Sequence, residues 1–250
     1  MTDYTEINVR TEDGVATVTL DRPEALNAIT PTMLAELGDA FDAIAEDESV
    51  IIAVLTGQGR AFSAGVDLKA IGRQELSGGK VGDLLDIPAR HLTARLTTMR
   101  PIVIAKVNGY CFTGALEIAM ACDLMVVADE AKLGDTHAKF GLRPTWGMGQ
   151  RLPRLVGFAR ARELSYTARM FSGRQAVEYG LAARSAPAAE LDDAVAELIT
   201  EMRANSPNSF VAYKEMYRVA QERGLDGGLA FEYGTEYPFD DTDARVADFR

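Results

Sequence analysis

The sequence is poor in the residues that bind metals and cross-link chains. Its 250 residues include only two cysteines, Cys111 and Cys122, and two histidines, His91 and His137. No Cys/His zinc set can be assembled from so few. Two cysteines within one apolar stretch read as buried reduced thiols and not as a disulfide framework. Positive charge is scarce as well: 26 Lys and Arg stand against 37 Asp and Glu, a formal net charge of −11. A phosphate backbone is repelled by such a chain, which argues against nucleic acid as a partner. A local basic patch for a small phosphorylated ligand is still compatible with that charge. No uninterrupted run of membrane-spanning length is present, because the most apolar segment, residues 102–128, is broken by Lys106, Asn108, Glu117 and Asp123. The opening Met1-Thr2-Asp3-Tyr4-Thr5-Glu6 is polar and acidic, unlike a signal or transit peptide, so the expected location is cytoplasmic.

What is present is the balance of an ordinary globular protein, 47% hydrophobic and 25% charged residues. The length suits one large α/β domain or a domain with a smaller helical appendage. Residues 7–10 and 15–20 are β-type runs around Glu12-Asp13-Gly14, a hairpin signal. Pro31 opens a helical pattern, with Leu34, Leu37, Phe41 and Ile44 on one face and Thr30 as N-cap. Residues 50–56 and 102–107 are buried strands, and Pro88 is expected to begin a helix that stops at Pro101. Residues 74–82 are polar and glycine-rich, the best candidate for a mobile loop. Strands alternating with helices predict an α/β core with a largely parallel sheet, spanning residues 1–195. Residues 151–168, 173–179, 191–204 and 209–223 read as successive helices, and residues 196–250 are expected to form a C-terminal helical region.

Two stretches carry chemistry. The first, Ala61-Phe62-Ser63-Ala64-Gly65-Val66-Asp67-Leu68-Lys69, follows a strand and a tight turn. Small residues there let backbone amides approach a ligand, as in an oxyanion hole or phosphate nest, although a ligand-free strand-to-helix turn has the same pattern. The second, Asn108-Gly109-Tyr110-Cys111-Phe112-Thr113-Gly114-Ala115-Leu116-Glu117, places Gly114 at a helix N-terminus, where free N–H groups and the dipole favour negative charge. Glu117 on an exposed helix would merely complement that dipole. Its neighbours in residues 115–122 are otherwise all apolar, so it is expected to be enclosed, and an enclosed carboxylate is paired or used.

These stretches resemble the crotonase, or enoyl-CoA hydratase/isomerase, superfamily. So do Arg22-Pro23-Glu24-Ala25-Leu26-Asn27-Ala28, similar to an early segment of the CoA pocket, and Phe140-Gly141-Leu142 with residues 144–152, similar to the segment after the active site. The similarity runs over about residues 15–185 in four ordered motifs. It implies a spiral of ββα turns with a C-terminal helical region, assembled as a homotrimer or a dimer of trimers.

The resemblance further implies an acyl-CoA thioester substrate whose carbonyl oxygen accepts hydrogen bonds from the N–H groups of Val66 and Gly114. Ala25, Ala64, Val66, Asp67, Leu68, Lys69 and Gly114 would line the CoA site, with no metal or further cofactor. Relatives place two glutamates about the substrate double bond. Glu117 matches the first, whereas the second position is His137, in Gly134-Asp135-Thr136-His137. Histidine transfers protons near neutral pH, and a nearby Glu117 carboxylate would favour its charged form. Asp135 would share a face with His137 only on an extended backbone. The expected reaction is hydration of a 2-enoyl-CoA to a 3-hydroxyacyl-CoA. An enoyl-CoA isomerase and a non-catalytic acyl-CoA-binding homologue are the alternatives.

Overall fold

A computed structural model describes residues 3–69 and 77–247. The chain divides into two compact units, Met1–Ala196 and Glu197–Arg250.

In the first unit the hairpin forms as expected. β1 (Ile7–Glu12) pairs antiparallel with β2 (Val15–Leu20), and Asp13 and Gly14 both take positive φ at the turn. One face of β2 is buried and the other half-open, whereas β3 (Ile52–Gly57) is buried along its whole length. Both strands are interior to the sheet, β2 between β1 and β3 and β3 between β2 and β5 (Ile102–Val107).

From β3 onward the chain repeats one path. A strand in the large sheet is followed by a short strand in a second sheet and then a helix. β3 leads to β4 (Ala61–Ser63) and α2 (Asp83–Thr98), and β5 leads to β6 (Tyr110–Phe112) and α3 (Gly114–Ala119). β7 (Leu124–Ala128) leads to β8 (Lys132–Gly134) and α4 (Met148–Thr167). Consecutive strands pair parallel in both sheets, β3 with β5 and β5 with β7, then β4 with β6 and β6 with β8. This is the expected spiral of ββα turns. β9 (Phe171–Ser172) closes the small sheet, α5 (Gly173–Glu178) follows it, and β10 (Arg184–Ala186) ends the large one.

α1 (Pro31–Glu46) packs beside α2. Its N-cap is Thr30, whose hydroxyl accepts from Met33 N, and Met33, Leu34, Leu37, Phe41 and Ile44 are buried. α2 corrects one expectation: it starts at Asp83, and Pro88 lies inside it. The missing N–H of Pro88 leaves one early carbonyl unpaired within the helix, and the first-turn bonds, Asp86 N to Gly82 O among them, are already made. The expected loop at residues 74–82 lies partly outside the described residues, and its remainder includes a short turn at Ser77–Gly79.

α6 (Leu191–Arg203) contains the division between the units. The second unit is helical as expected, with α7 (Pro207–Gly234) and α8 (Thr242–Val246). α7 runs beyond the expected residue 223, because the chain resumes a helix after Gly224, which itself takes φ +69°.

Candidate active site

Neighbouring turns of the spiral deliver the site residues side by side. β4 and β6 are parallel neighbours, so the segments leaving them meet. Just past β4, Ile29 forms an isolated parallel bridge with Val66, taking Gly65 O on its N–H (2.8 Å) and giving its own O to Asp67 N (2.9 Å). In such a bridge the flanking residues face the partner, so the Val66 N–H points the other way. Gly65 has φ +90°, and a Cβ there would lie 2.4 Å from Thr113 Oγ1 and 2.9 Å from Phe112 O. Only glycine lets the two turns touch.

Gly114 is the first residue of α3, where the N–H has no intrahelical acceptor. Among the described residues, no hydrogen bond takes up the N–H of Val66 or of Gly114. Both residues line a cavity of about 280 Å³ together with Ala64, Leu68, Glu117 and His137. Of the residues expected at the CoA site, Ala25, Asp67 and Lys69 do not line this cavity. Asp67 instead pairs with Arg22 (Nη1 to Oδ2, 3.2 Å), and its Oδ1 accepts from Lys69 N at 3.0 Å. Ala25 ends a short turn, Pro23–Ala25, tied down by buried Asn27: its Oδ1 accepts from Arg22 N, and its Nδ2 donates to Gln58 O and Ala61 O.

The register of the small sheet explains the spacing of Glu117 and His137. Cys111 lies opposite Leu133 and Phe112 opposite Gly134, and Thr113 N continues the ladder to Gly134 O (3.0 Å). One turn of α3 beyond Thr113 stands Glu117, and three residues beyond Gly134 stands His137. Glu117 is only 1% exposed. Its Oε1 accepts from Trp146 N (3.0 Å) and Met148 N (2.8 Å), and its Oε2 faces His137 Nε2 at 3.5 Å. The carboxylate is therefore fixed by backbone on one oxygen and free to do chemistry on the other.

The second ring nitrogen of His137, Nδ1, lies 2.7 Å from Asp135 Oδ1, and Ser165 Oγ donates to Asp135 Oδ2 at 2.7 Å. The contact does not need the extended backbone that sequence reasoning required. Asp135 Oδ1 also accepts from His137 N at 3.3 Å, a local turn that curls the chain and brings residues two apart together. Burial disfavours a charged imidazole, but hydrogen bonds to Asp135 and Glu117 and the charges of both carboxylates outweigh it, raising the His137 pKa to about 9. Burial likewise opposes a charged Asp135, and its bonds to His137 and Ser165 with the imidazolium charge still hold its pKa below the ordinary carboxyl value. At neutral pH the site thus holds a buried imidazolium between two carboxyl groups. Cys111 is buried and its thiol is pushed far above its ordinary range, so it is inert here.

Sequence reasoning considered Asp135 without assigning it a role, and missed Ser165 and the two backbone donors on Glu117. A short polar residue two before a site histidine was the one available signal. Among the described residues there is no cluster of His, Cys, Asp and Glu suited to a metal, and no helix long and apolar enough to cross a membrane.

A two-sheet ββα spiral with glycine turns beside an enclosed Glu117 defines a crotonase-type fold and site. Comparisons with known proteins agree. The family model for enoyl-CoA hydratase/isomerase matches residues 10–246, and the chain belongs to that family. The probable enoyl-CoA hydratase 1, peroxisomal, of Arabidopsis thaliana is 40% identical over 162 residues, 64% of this chain but only 59% of that protein. The short-chain-enoyl-CoA hydratase of Clostridium acetobutylicum is 33% identical over 223 residues, 88% of this chain and 84% of that one. The crystal structure of an enoyl-CoA hydratase from Bacillus anthracis superposes with a TM-score of 0.86 at 31% identity, covering 92% of this chain and 88% of that chain.

Proposed function

We propose that this protein is an enoyl-CoA hydratase, adding water across the double bond of a 2-enoyl-CoA to give a 3-hydroxyacyl-CoA. The observation that carries the reading is the facing pair at the cavity wall, Glu117 Oε2 and a charged His137 Nε2 3.5 Å apart. The thioester oxygen sits between the N–H groups of Val66 and Gly114, which stabilise the enolate oxygen as charge moves onto it. Glu117 takes a proton from water as the hydroxyl adds to C3, and His137 delivers its Nε2 proton to C2. That leaves a protonated Glu117 facing a neutral imidazole. Transfer of the proton between them restores the starting charges, so one water is consumed with no net change in the protein. The positive charge on His137 in turn is maintained by Asp135, which leaves Nε2 as the nitrogen that works.

In this reading the backbone amides polarise the thioester carbonyl and so make C3 electrophilic. Assembly as a homotrimer or a dimer of trimers belongs to the same proposal, and sedimentation of the purified protein tests it. The activity is tested by following the enoyl-thioester absorbance of 2-enoyl-CoAs of several chain lengths. Glu117→Gln is expected to lose at least about 100-fold in kcat while still binding acyl-CoA, because Gln keeps an acceptor for the Trp146 and Met148 amides. A parent protein that binds these thioesters and leaves their absorbance unchanged sinks the hydratase reading.

A further inference from the structure

One buried acidic side chain behind the lining residues Thr145 and Trp146 takes no part in the chemistry above. Asp86 lies in the first turn of α2 and is 3% exposed. Its Oδ1 accepts two hydrogen bonds, from Trp146 Nε1 at 2.8 Å and from Thr145 Oγ1 at 2.7 Å. A carboxylate in that setting is costly to bury, and two donors on one oxygen together with the helix N-terminus offset the cost. An apolar residue here would avoid that cost but leave Trp146 Nε1 and Thr145 Oγ1 without this acceptor, so the acid is read by what it fixes.

What it fixes is Trp146. The six-membered ring of the indole lies against the α-carbon of Gly114, so closely that a Cβ there would be 2.4 Å from Cζ3 and 2.9 Å from Cε3. The backbone N–H of the same residue donates to Glu117 Oε1. One residue thus touches both halves of the site, the Gly114 turn through its ring and the Glu117 carboxylate through its amide. An indole has two torsions to settle, and a bond at Nε1 settles them. We infer that Asp86 is a positioning residue: by holding the Trp146 indole it sets the Gly114 amide and the Glu117 carboxylate in their working places.

The inference rests on the hydratase reading for its kinetic consequence but not for its structural one. Trp146 is the single tryptophan of the chain, so indole emission and near-UV tryptophan circular dichroism report on this ring alone. The test compares Asp86→Ala and Asp86→Asn with the parent. Asp86→Ala is expected to shift the Trp146 emission to the red, weaken its circular dichroism and speed amide hydrogen exchange in peptides covering residues 114–117 and 145–148. Its kcat should fall at least about tenfold, with KM changed less than about threefold, because geometry and not ground-state binding is lost. Asp86→Asn keeps an oxygen acceptor for Nε1–H, and should restore the emission, the exchange pattern and most of the kcat.

Emission, exchange and kcat of a folded Asp86→Ala protein that all match the parent overturn the inference. So does a loss of kcat with unchanged emission, and so does an Asp86→Asn protein as impaired as Asp86→Ala. If Asp86→Ala does not fold, Trp146→Phe removes the same donor while leaving a ring on Gly114. Unchanged exchange at residues 114–117 in that variant overturns the inference equally. Should the parent fail to hydrate any enoyl-CoA, the function falls, and the emission and exchange results still decide the role of Asp86.

Discussion

The protonated state of His137 makes a prediction that does not depend on the substrate. An imidazole ordinarily titrates near 6.5, and in this site it is raised to about 9 by Asp135 and Glu117 against the opposing effect of burial. The folded pKa lies above the unfolded one, so the group contributes stability that is fully present below pH 6.5 and lost as the pH rises through about 9. At ~1.36 kcal/mol per pH unit the difference corresponds to ~3 kcal/mol, a large share of the ~5–15 kcal/mol that holds an ordinary domain. The His137 side chain is 11% exposed, so solvent screening reduces this only modestly. Two measurements check it. The chain has two histidines, so proton NMR of the imidazole C–H signals is simple to assign, and His91→Gln removes the other signal. Urea unfolding at pH 6 and pH 10, with His137→Gln as the control for other titrating groups, gives the stability difference. A His137 midpoint at or below 6.5, or a parent whose pH dependence matches that of His137→Gln, refutes the reasoning. The enzymatic counterpart is an alkaline limb in kcat near pH 9, where the general acid is lost.

Three further outcomes follow from the same geometry. Asp135→Asn removes a charge from the Nδ1 side, so the His137 NMR midpoint and the alkaline limb of kcat should both move to lower pH; an unmoved midpoint would assign the shift to Glu117 alone. Gly114→Ala drives a Cβ into the Trp146 ring at 2.4 Å, and overpacking of this kind destabilises by about 1–3 kcal/mol, read as a lowered Tm together with a fall in kcat. Thr30→Ala deletes the N-cap of α1 and its bond to Glu6, lowering stability in urea by about 1 kcal/mol with kcat unchanged, since α1 lies outside the cavity lining.

The elements and site residues that could be read from the sequence are those whose cause is local. Thr30 caps because its hydroxyl reaches a residue three positions on, and the hairpin at Asp13-Gly14 forms because those two residues tolerate positive φ. Glu117 was legible for a related reason: a carboxylate among apolar helix neighbours must be enclosed wherever the helix goes. Local rules also explain the error at Pro88, because proline at a helix start is only a preference, and Asp86 N already bonds to Gly82 O upstream of it. The features that were not legible arise where distant segments meet. Trp146 and Met148 reach Glu117 across 29 and 31 residues, and Asp86 reaches Trp146 across 60. No periodicity in the chain marks those pairs, since they exist only once β6, β8 and α2 have been stacked by the spiral. Asp135 belongs to a third kind. It is two residues from His137, and a side-chain turn brings them together without the extended backbone on which the pair would otherwise share a face. The His137 imidazole is therefore oriented and kept charged by Asp135, with Ser165 behind that carboxylate. An imidazole beside Glu117 alone would have lacked a fixed tautomer, and with Asp135 on Nδ1 the working proton is confined to Nε2, on the side that faces the cavity and Glu117.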